Sequence, residues 1–92
     1  VIRSFKHRGL KRLYERGDER GIRPDLRDTV QEILTVLNAA ESPAALDIPG
    51  YRLHPLKGDL KGFWSVTVRA NWRIIFRFEG EDAVDVELTD YH

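Results

Sequence analysis

Seven side chains in this sequence have the chemistry to act on a phosphodiester: His54, Lys57, Arg69, Asn71, Arg73, Tyr91 and His92. Cutting RNA through its own 2′-hydroxyl sets three tasks. The hydroxyl must lose its proton, the extra charge on the pentacoordinate phosphate must be stabilised, and the departing 5′-oxygen must gain a proton. Arg73 and Lys57 offer fixed positive charge for the second task. Imidazole titrates in the working range and suits the first or the third. A tyrosine or a neighbouring carboxylate can share the proton movement. With the 2′-hydroxyl as nucleophile no metal or other cofactor is called for, and no carboxylate–histidine spacing in the chain suggests a metal site. A deoxynucleotide at the scissile position could not react, because the attacking group would be missing.

Each of these residues alone has a commoner explanation. A single histidine before a proline is more often a solvated surface residue. Arg69 and Arg73 would usually be cross-strand salt-bridge partners, and Arg77 reads as one. Asn71 suits a tight turn, since Asn tolerates positive φ. Chain ends such as Tyr91 and His92 normally fray. What lifts the set above its members is convergence from three segments, which depends on the elements that carry them.

The stretch Tyr51–Phe78 organises the chain. It holds both tryptophans and interleaves basic with apolar residues. Trp64, Val66 and Val68 alternate with Ser65, Thr67 and Arg69; Trp72, Ile74, Phe76 and Phe78 alternate with Arg73, Ile75 and Arg77. This period of two marks half-buried antiparallel strands, with one face for the core and one free to meet a ligand. By parity Trp64 and Trp72 belong to the inward set rather than to a base-stacking platform. Arg69-Ala70-Asn71 turns between the two strands, and Glu79–Ala83 makes the next turn. Val84, Val86 and Leu88 then form the inward face of the last strand. Phe76 opposite Val86 is the favoured register, with Arg77 opposite Asp85 and Asn71 near Tyr91. That pairing returns the end of the chain beside the Arg69–Arg73 turn.

Upstream, Ile2–Phe5 reads as a short strand and His7–Arg16 as a helix stopped by Gly17. Pro24 opens a second helix, whose first turn carries Asp25 and Asp28. Its stripe of Leu26, Val30, Ile33, Leu34 and Leu37 faces the core, and the helix ends at Asn38–Ala40. Residues 41–50 form a connection with two prolines and one turn of helix, and Tyr51–Leu56 is an edge segment, since Pro55 has no amide to donate. The order is β-α-α-β-β-β: one α+β domain over residues 1–92, a twisted antiparallel sheet with two N-terminal helices on one face.

Net charge is zero over 92 residues, but it is blocked. Residues 1–23 carry +5, residues 24–50 carry −4, residues 51–78 carry +5 and residues 79–92 carry −6. The outer face of the first helix, with Arg8, Lys11, Arg12 and Arg16, is either a solvated face or a contact for RNA backbone. Arginine outnumbers lysine eleven to four. Its planar fork grips phosphate in two places, although a GC-rich genome yields the same bias. There is no cysteine, so disulfides and thiolate metal sites are excluded. No apolar run approaches the roughly 20 residues needed to span a bilayer, and the first residues lack a signal-peptide core. A cytoplasmic protein without membrane contact is expected.

The segment HPLKGDLKGFWSVTVRANWRIIFRF, the closing TDYH and the opening IRSFKHRGLKRLYERG together resemble the HigB (host inhibition of growth) toxins of bacterial toxin-antitoxin systems, within the RelE-like superfamily. The likeness covers nearly the whole chain and is strongest over 51–78 and 89–92; the Arg-rich segment 20–27 follows no pattern of that family. It implies an endoribonuclease that works on the ribosome, cutting mRNA in the decoding site. It also implies a helix-turn-helix antitoxin of the HigA type, with operator DNA bound only through the toxin-antitoxin complex. By the same resemblance His54, Lys57, Arg73, Asp90, Tyr91 and His92 are catalytic, while Arg69 and Asn71 hold RNA. Arg73 and Lys57 would take the phosphate charge. His54, Asp90, Tyr91 and His92 would move protons, with His92 the leading acid/base. A non-cleaving RNA- or ribosome-binding inhibitor of translation would use the same basic face without a proton donor.

Overall fold

The computed structural model describes residues 1–90; Tyr91 and His92 lie outside them. Helices α1 (Arg8–Arg16) and α2 (Arg27–Ala39) precede four strands, β1 (His54–Pro55), β2 (Trp64–Arg69), β3 (Trp72–Glu79) and β4 (Asp82–Asp90). The strands form one antiparallel sheet in the order β1-β2-β3-β4. The expected α+β layering therefore holds, with two helices against one sheet.

Local chemistry sets the helix ends. The His7 ring caps α1, its Nδ1 accepting the Leu10 amide at 3.1 Å. Gly17, at φ 67°, ends it in the left-handed conformation, with its amide donating to the Leu13 carbonyl at 3.0 Å. Pro24 opens a 3₁₀ turn, Pro24–Leu26, that runs into α2. The apolar stripe of α2 is buried throughout: Leu26, Val30, Ile33, Leu34 and Leu37. It packs with Leu10 and Leu13 of α1 onto Val66, Val68, Ile74, Phe76, Val86 and Leu88 of the sheet. Each such side chain contributes about 1.5–3 kcal/mol when fully buried.

The β3–β4 register is the expected one from Trp72↔Asp90 to Ile75↔Glu87, and then shifts. A bulge places Arg77 opposite Val84 rather than Asp85, and Asp85 takes φ 54°. Ala83, not Val84, therefore shares the inward face with Val86 and Leu88, while Val84, opposite Arg77, is buried outside that cluster. The Arg77–Asp85 ion pair survives the shift, with Nε to Oδ2 at 2.8 Å, because a guanidinium spans one extra residue.

The segment expected as a first strand makes only two isolated bridges, Ile2↔Ala83 and Phe5↔Val86, both parallel to β4. Between them the Asp85 amide bonds the Ser4 hydroxyl at 2.9 Å, so the bulge interrupts the ladder. The expected edge strand Tyr51–Leu56 shrinks to His54–Pro55, since Arg52 at φ 53° breaks the extended path. In the β2–β3 turn it is Ala70, at φ 50°, that enters the left-handed region, rather than Asn71. The connection 41–50 contains one 3₁₀ turn, Pro43–Leu46.

The loop between the helices lies against the start of α1 through two glycines. A Cβ on Gly21 would stand 2.7 Å from the Gly9 Cα, and one on Gly9 would stand 2.6 Å from the Gly21 carbonyl oxygen. Backbone atoms cannot rotate aside, so Gly21→Ala should cost about 1–3 kcal/mol by forcing the loop away. Urea denaturation followed by circular dichroism checks this; a midpoint equal to the parent's would show that the two backbones do not touch in solution.

Candidate active site

The sheet face turned away from the helices carries two cross-strand rows. His54 pairs with Ser65, Ser65 with Ile75, and Ile75 with Glu87; beside them Thr67 pairs with Arg73 and Arg73 with Thr89. Leu56 and Leu60, from the connection after β1, overhang this face and close a cavity of about 300 Å³. Its lining joins His54 and Arg73 to Ser65, Ile75, Glu87 and Thr89. The overhang explains why Ser65 and Ile75, on the outward parity, are only 2% and 7% exposed.

His54 also borders an adjoining groove that contains Lys57. Imidazole, guanidinium and ammonium groups thus meet along one continuous surface, with His54 shared by its two hollows. Arg73 is not left to wander. Its Nη1 donates to the Ala70 carbonyl at 2.6 Å and to the Trp72 carbonyl at 3.2 Å. Those bonds anchor the cation to the β2–β3 turn while leaving its other nitrogens available.

The other expected residues gather elsewhere. Arg69, Asn71 and Asp90 line a groove at the β2–β3 turn together with Arg23, Asp25 and Trp72. Arg73, tied to the carbonyl of Ala70, links this groove to the cavity. Arg23 lies 5.5 Å from the Trp72 ring centroid and bonds Asp25, Nη2 to Oδ2, at 2.8 Å. The hydrogen bond from Arg23 holds the Asp25 carboxyl below its ordinary range, with Arg69 adding to the effect. Arg8, Lys11 and Arg12 line a third, shallow groove on α1 with Glu15 and Arg16. They border neither the cavity nor the turn groove. Tyr91 and His92 fall outside the described residues.

Ser65, Glu87 and Thr89 were not anticipated as cavity residues. The signal for them was the register itself, since pairing Phe76 with Val86 also pairs Ile75 with Glu87 and Arg73 with Thr89. Arg23 and Asp25 had no comparable signal, because a loop's docking against a distant turn leaves no periodicity. Among the described residues, no group of three or more His, Asp and Glu side chains is arranged to hold a metal ion.

Comparison with known proteins agrees with this architecture. The family described as "RelE-like toxin of type II toxin-antitoxin system HigB" matches residues 3–92. Endoribonuclease HigB of Proteus vulgaris is 46% identical over 92 residues, covering 100% of both chains. Toxin HigB-1 of Vibrio cholerae is 33% identical over 87 residues, covering 92% of each. Among solved structures, YafQ of E. coli superposes with a TM-score of 0.66 at 16% identity, over 98% of this chain and 91% of its own, which is a likeness of fold.

One titrating group stands close to the cavity rim. Burial lowers the His7 pKa from its ordinary value, and the nearby Glu87 carboxylate opposes that shift. Its folded value lies below its unfolded one, so between the two the unfolded chain binds more protons. Stability is therefore complete above the unfolded value of about 6.5 and declines as pH falls below it. Protonation at Nδ1 also removes the acceptor that caps α1. His7→Asn keeps a capping oxygen and does not titrate. Chemical denaturation at pH 5 and pH 7.5 should show a smaller loss of stability on acidification in His7→Asn than in the parent; equal losses would mean His7 is solvated.

Proposed function

The chain belongs to the HigB-like family, the RelE-like toxins of type II toxin-antitoxin systems, and from that membership we propose a ribosome-dependent endoribonuclease acting as one domain. It enters the A site of the 30S subunit and cuts the mRNA there through the substrate's own 2′-hydroxyl. Translation and growth stop as a result. The observation that carries this reading is the shared cavity that brings His54 from β1 and Arg73 from β3 together, with Lys57 in the adjoining groove.

The division of labour follows from charge and reach. Arg73 and Lys57 take the phosphate, and their positive charge is worth most in the transition state, where the phosphoryl oxygens gain charge. Arg73 is suited to this because its backbone bonds fix it before the substrate arrives. His54, Asp90, Tyr91 and His92 move protons, with His92 the leading acid/base. Arg69 and Asn71, in the turn groove, hold the RNA to one side of the scissile bond. Arg8, Lys11 and Arg12, on the exposed side of α1, meet nucleic-acid backbone farther away. The reaction draws on no metal or other cofactor.

The family's system supplies the remaining partners. A helix-turn-helix antitoxin of the HigA type neutralises the protein, and operator DNA is bound only through that complex. The site of action is the cytoplasm. No helix among the described residues is long and apolar enough to cross a membrane.

Arg73→Ala should abolish growth arrest and lower the cleavage rate on translating ribosomes by roughly 10²–10³-fold, with the circular dichroism spectrum unchanged. Full toxicity in that variant would remove Arg73 from the chemistry. Primer extension on a transcript from expressing cells supplies the second check. Discrete breaks inside codons are expected, and a 2′-deoxy substitution at the scissile nucleotide of a ribosome-bound mRNA should block the cut. Growth arrest with intact transcripts would instead identify a translation inhibitor that binds without cleaving.

A further inference from the structure

Arg52 holds a backbone conformation that its side chain does not favour. Its φ is 53°, in the left-handed region, where Cβ crowds the backbone of a non-glycine residue. The surrounding structure enforces it. The preceding residue, Tyr51, is buried and held three ways. Its amide donates to the Ile48 carbonyl at 3.0 Å, its carbonyl accepts from the Thr67 amide at 2.7 Å, and its hydroxyl donates to Glu32 at 2.8 Å. Burial and the Glu32 carboxylate push the phenol up to about 12, so this anchor stays neutral across the physiological range. Two residues beyond the kink, His54 begins the pairing with β2.

The kink places the Arg52 carbonyl oxygen 2.9 Å from His54 Nδ1. A carbonyl oxygen carries no proton, so Nδ1 must donate one. In a neutral imidazole that leaves Nε2 with a free lone pair. The ring lines the cavity with Arg73, where a phosphate would sit. We propose that Arg52 is a positioning residue whose backbone carbonyl fixes the His54 tautomer, so that Nε2 serves as the general base toward the 2′-hydroxyl. This deepens the ribonuclease reading above and, for the base role, rests on it.

The step balances without any further reagent. Nε2 takes the proton of the 2′-hydroxyl as O2′ forms its bond to phosphorus. The P–O5′ bond breaks, and O5′ leaves with a proton from an acid of the site or from water. The products are a 2′,3′-cyclic phosphate and a 5′-hydroxyl. The Nδ1–H bond to the Arg52 carbonyl strengthens as the ring gains charge in the transition state.

Since the working group is a backbone carbonyl, the lever is φ rather than side-chain removal. Glycine accepts the left-handed region freely, whereas a β-branched residue resists it. Arg52→Gly and Arg52→Val both lose the guanidinium, so the comparison isolates the backbone. Two readouts apply. Long-range ¹H–¹⁵N spectra of the full chain, with His54→Gln identifying the ring's signals, should show the Nδ1–H tautomer in the parent and in Arg52→Gly, and a mixture in Arg52→Val. Single-turnover cleavage of mRNA on programmed ribosomes at saturating protein should be roughly tenfold or more slower in Arg52→Val than in Arg52→Gly, and His54→Gln should lose about 10²-fold or more. A proton on Nε2 in the parent overturns the proposal, as does cleavage at the parent's rate by His54→Gln or equal tautomers and rates in the two Arg52 variants. Should Arg52→Val not fold, the parent's spectrum and the His54→Gln rate still decide it. If the parent cuts no ribosome-bound mRNA, the ribonuclease reading and the base role fall together, while the spectrum separately scores the tautomer.

Discussion

The pairing register of β3 with its neighbours is the constraint on which the site depends. Side chains alternate between faces, so a slip of one residue would send Arg73 into the core and Ile74 into water. Burying an unpaired guanidinium costs several kcal/mol, and exposing Ile74 would forfeit about another 1.5–3 kcal/mol of burial. The same register that seats Ile74 among the fully buried residues therefore fixes Arg73 on the outward face. Packing of the two helices on the inner face secures the position of every group on the outer one.

Regular pairing alone would leave a flat outer face, and the irregular positions give it shape. Among the described residues, the three non-glycine residues at positive φ are Arg52, Ala70 and Asp85. Each is bonded to a cationic or titratable side chain. The Arg52 carbonyl meets His54, the Ala70 carbonyl meets Arg73, and the Asp85 carboxylate meets Arg77. Two of these lie on the cavity, and the third sits at the bulge that ends the regular β3–β4 register. The local cost of a left-handed residue is set against a fixed side chain where one is needed.

Much of this was legible in the amino-acid sequence. The Leu26–Leu37 stripe, the Gly17 stop, the Pro24 start and the two alternating runs depend on neighbours in the chain, and the structure has them in place. Register from Trp72 to Ile75 followed from parity. The failures have one physical character. Asp85, Arg52 and Ala70 are not residues that announce positive φ, so the bulge, the shortened edge strand and the true turn residue went unseen. Val84 was misassigned to the inward face because parity inverts across a bulge; it is buried, but opposite Arg77 and outside the cluster that Ala83 joins. Docking of the Arg23–Asp25 loop against Trp72 depends on tertiary contacts, including the Gly9–Gly21 approach, which no periodicity encodes. His54 and Arg73, proposed for catalysis from residue type and resemblance, do share a cavity, while Arg69 and Asn71 occupy the neighbouring groove.

In the proposed reaction the scissile phosphate lies over the outer sheet face, between His54 and Arg73. A structure of the protein on a ribosome whose mRNA carries a 2′-O-methyl group at the scissile nucleotide tests it most directly, since the blocked nucleophile holds the complex before the cut. A phosphate oxygen is expected within hydrogen-bond distance of the Arg73 guanidinium, with the 2′-oxygen facing the His54 ring. A phosphodiester held instead along the α1 groove, with the cavity empty, would contradict it.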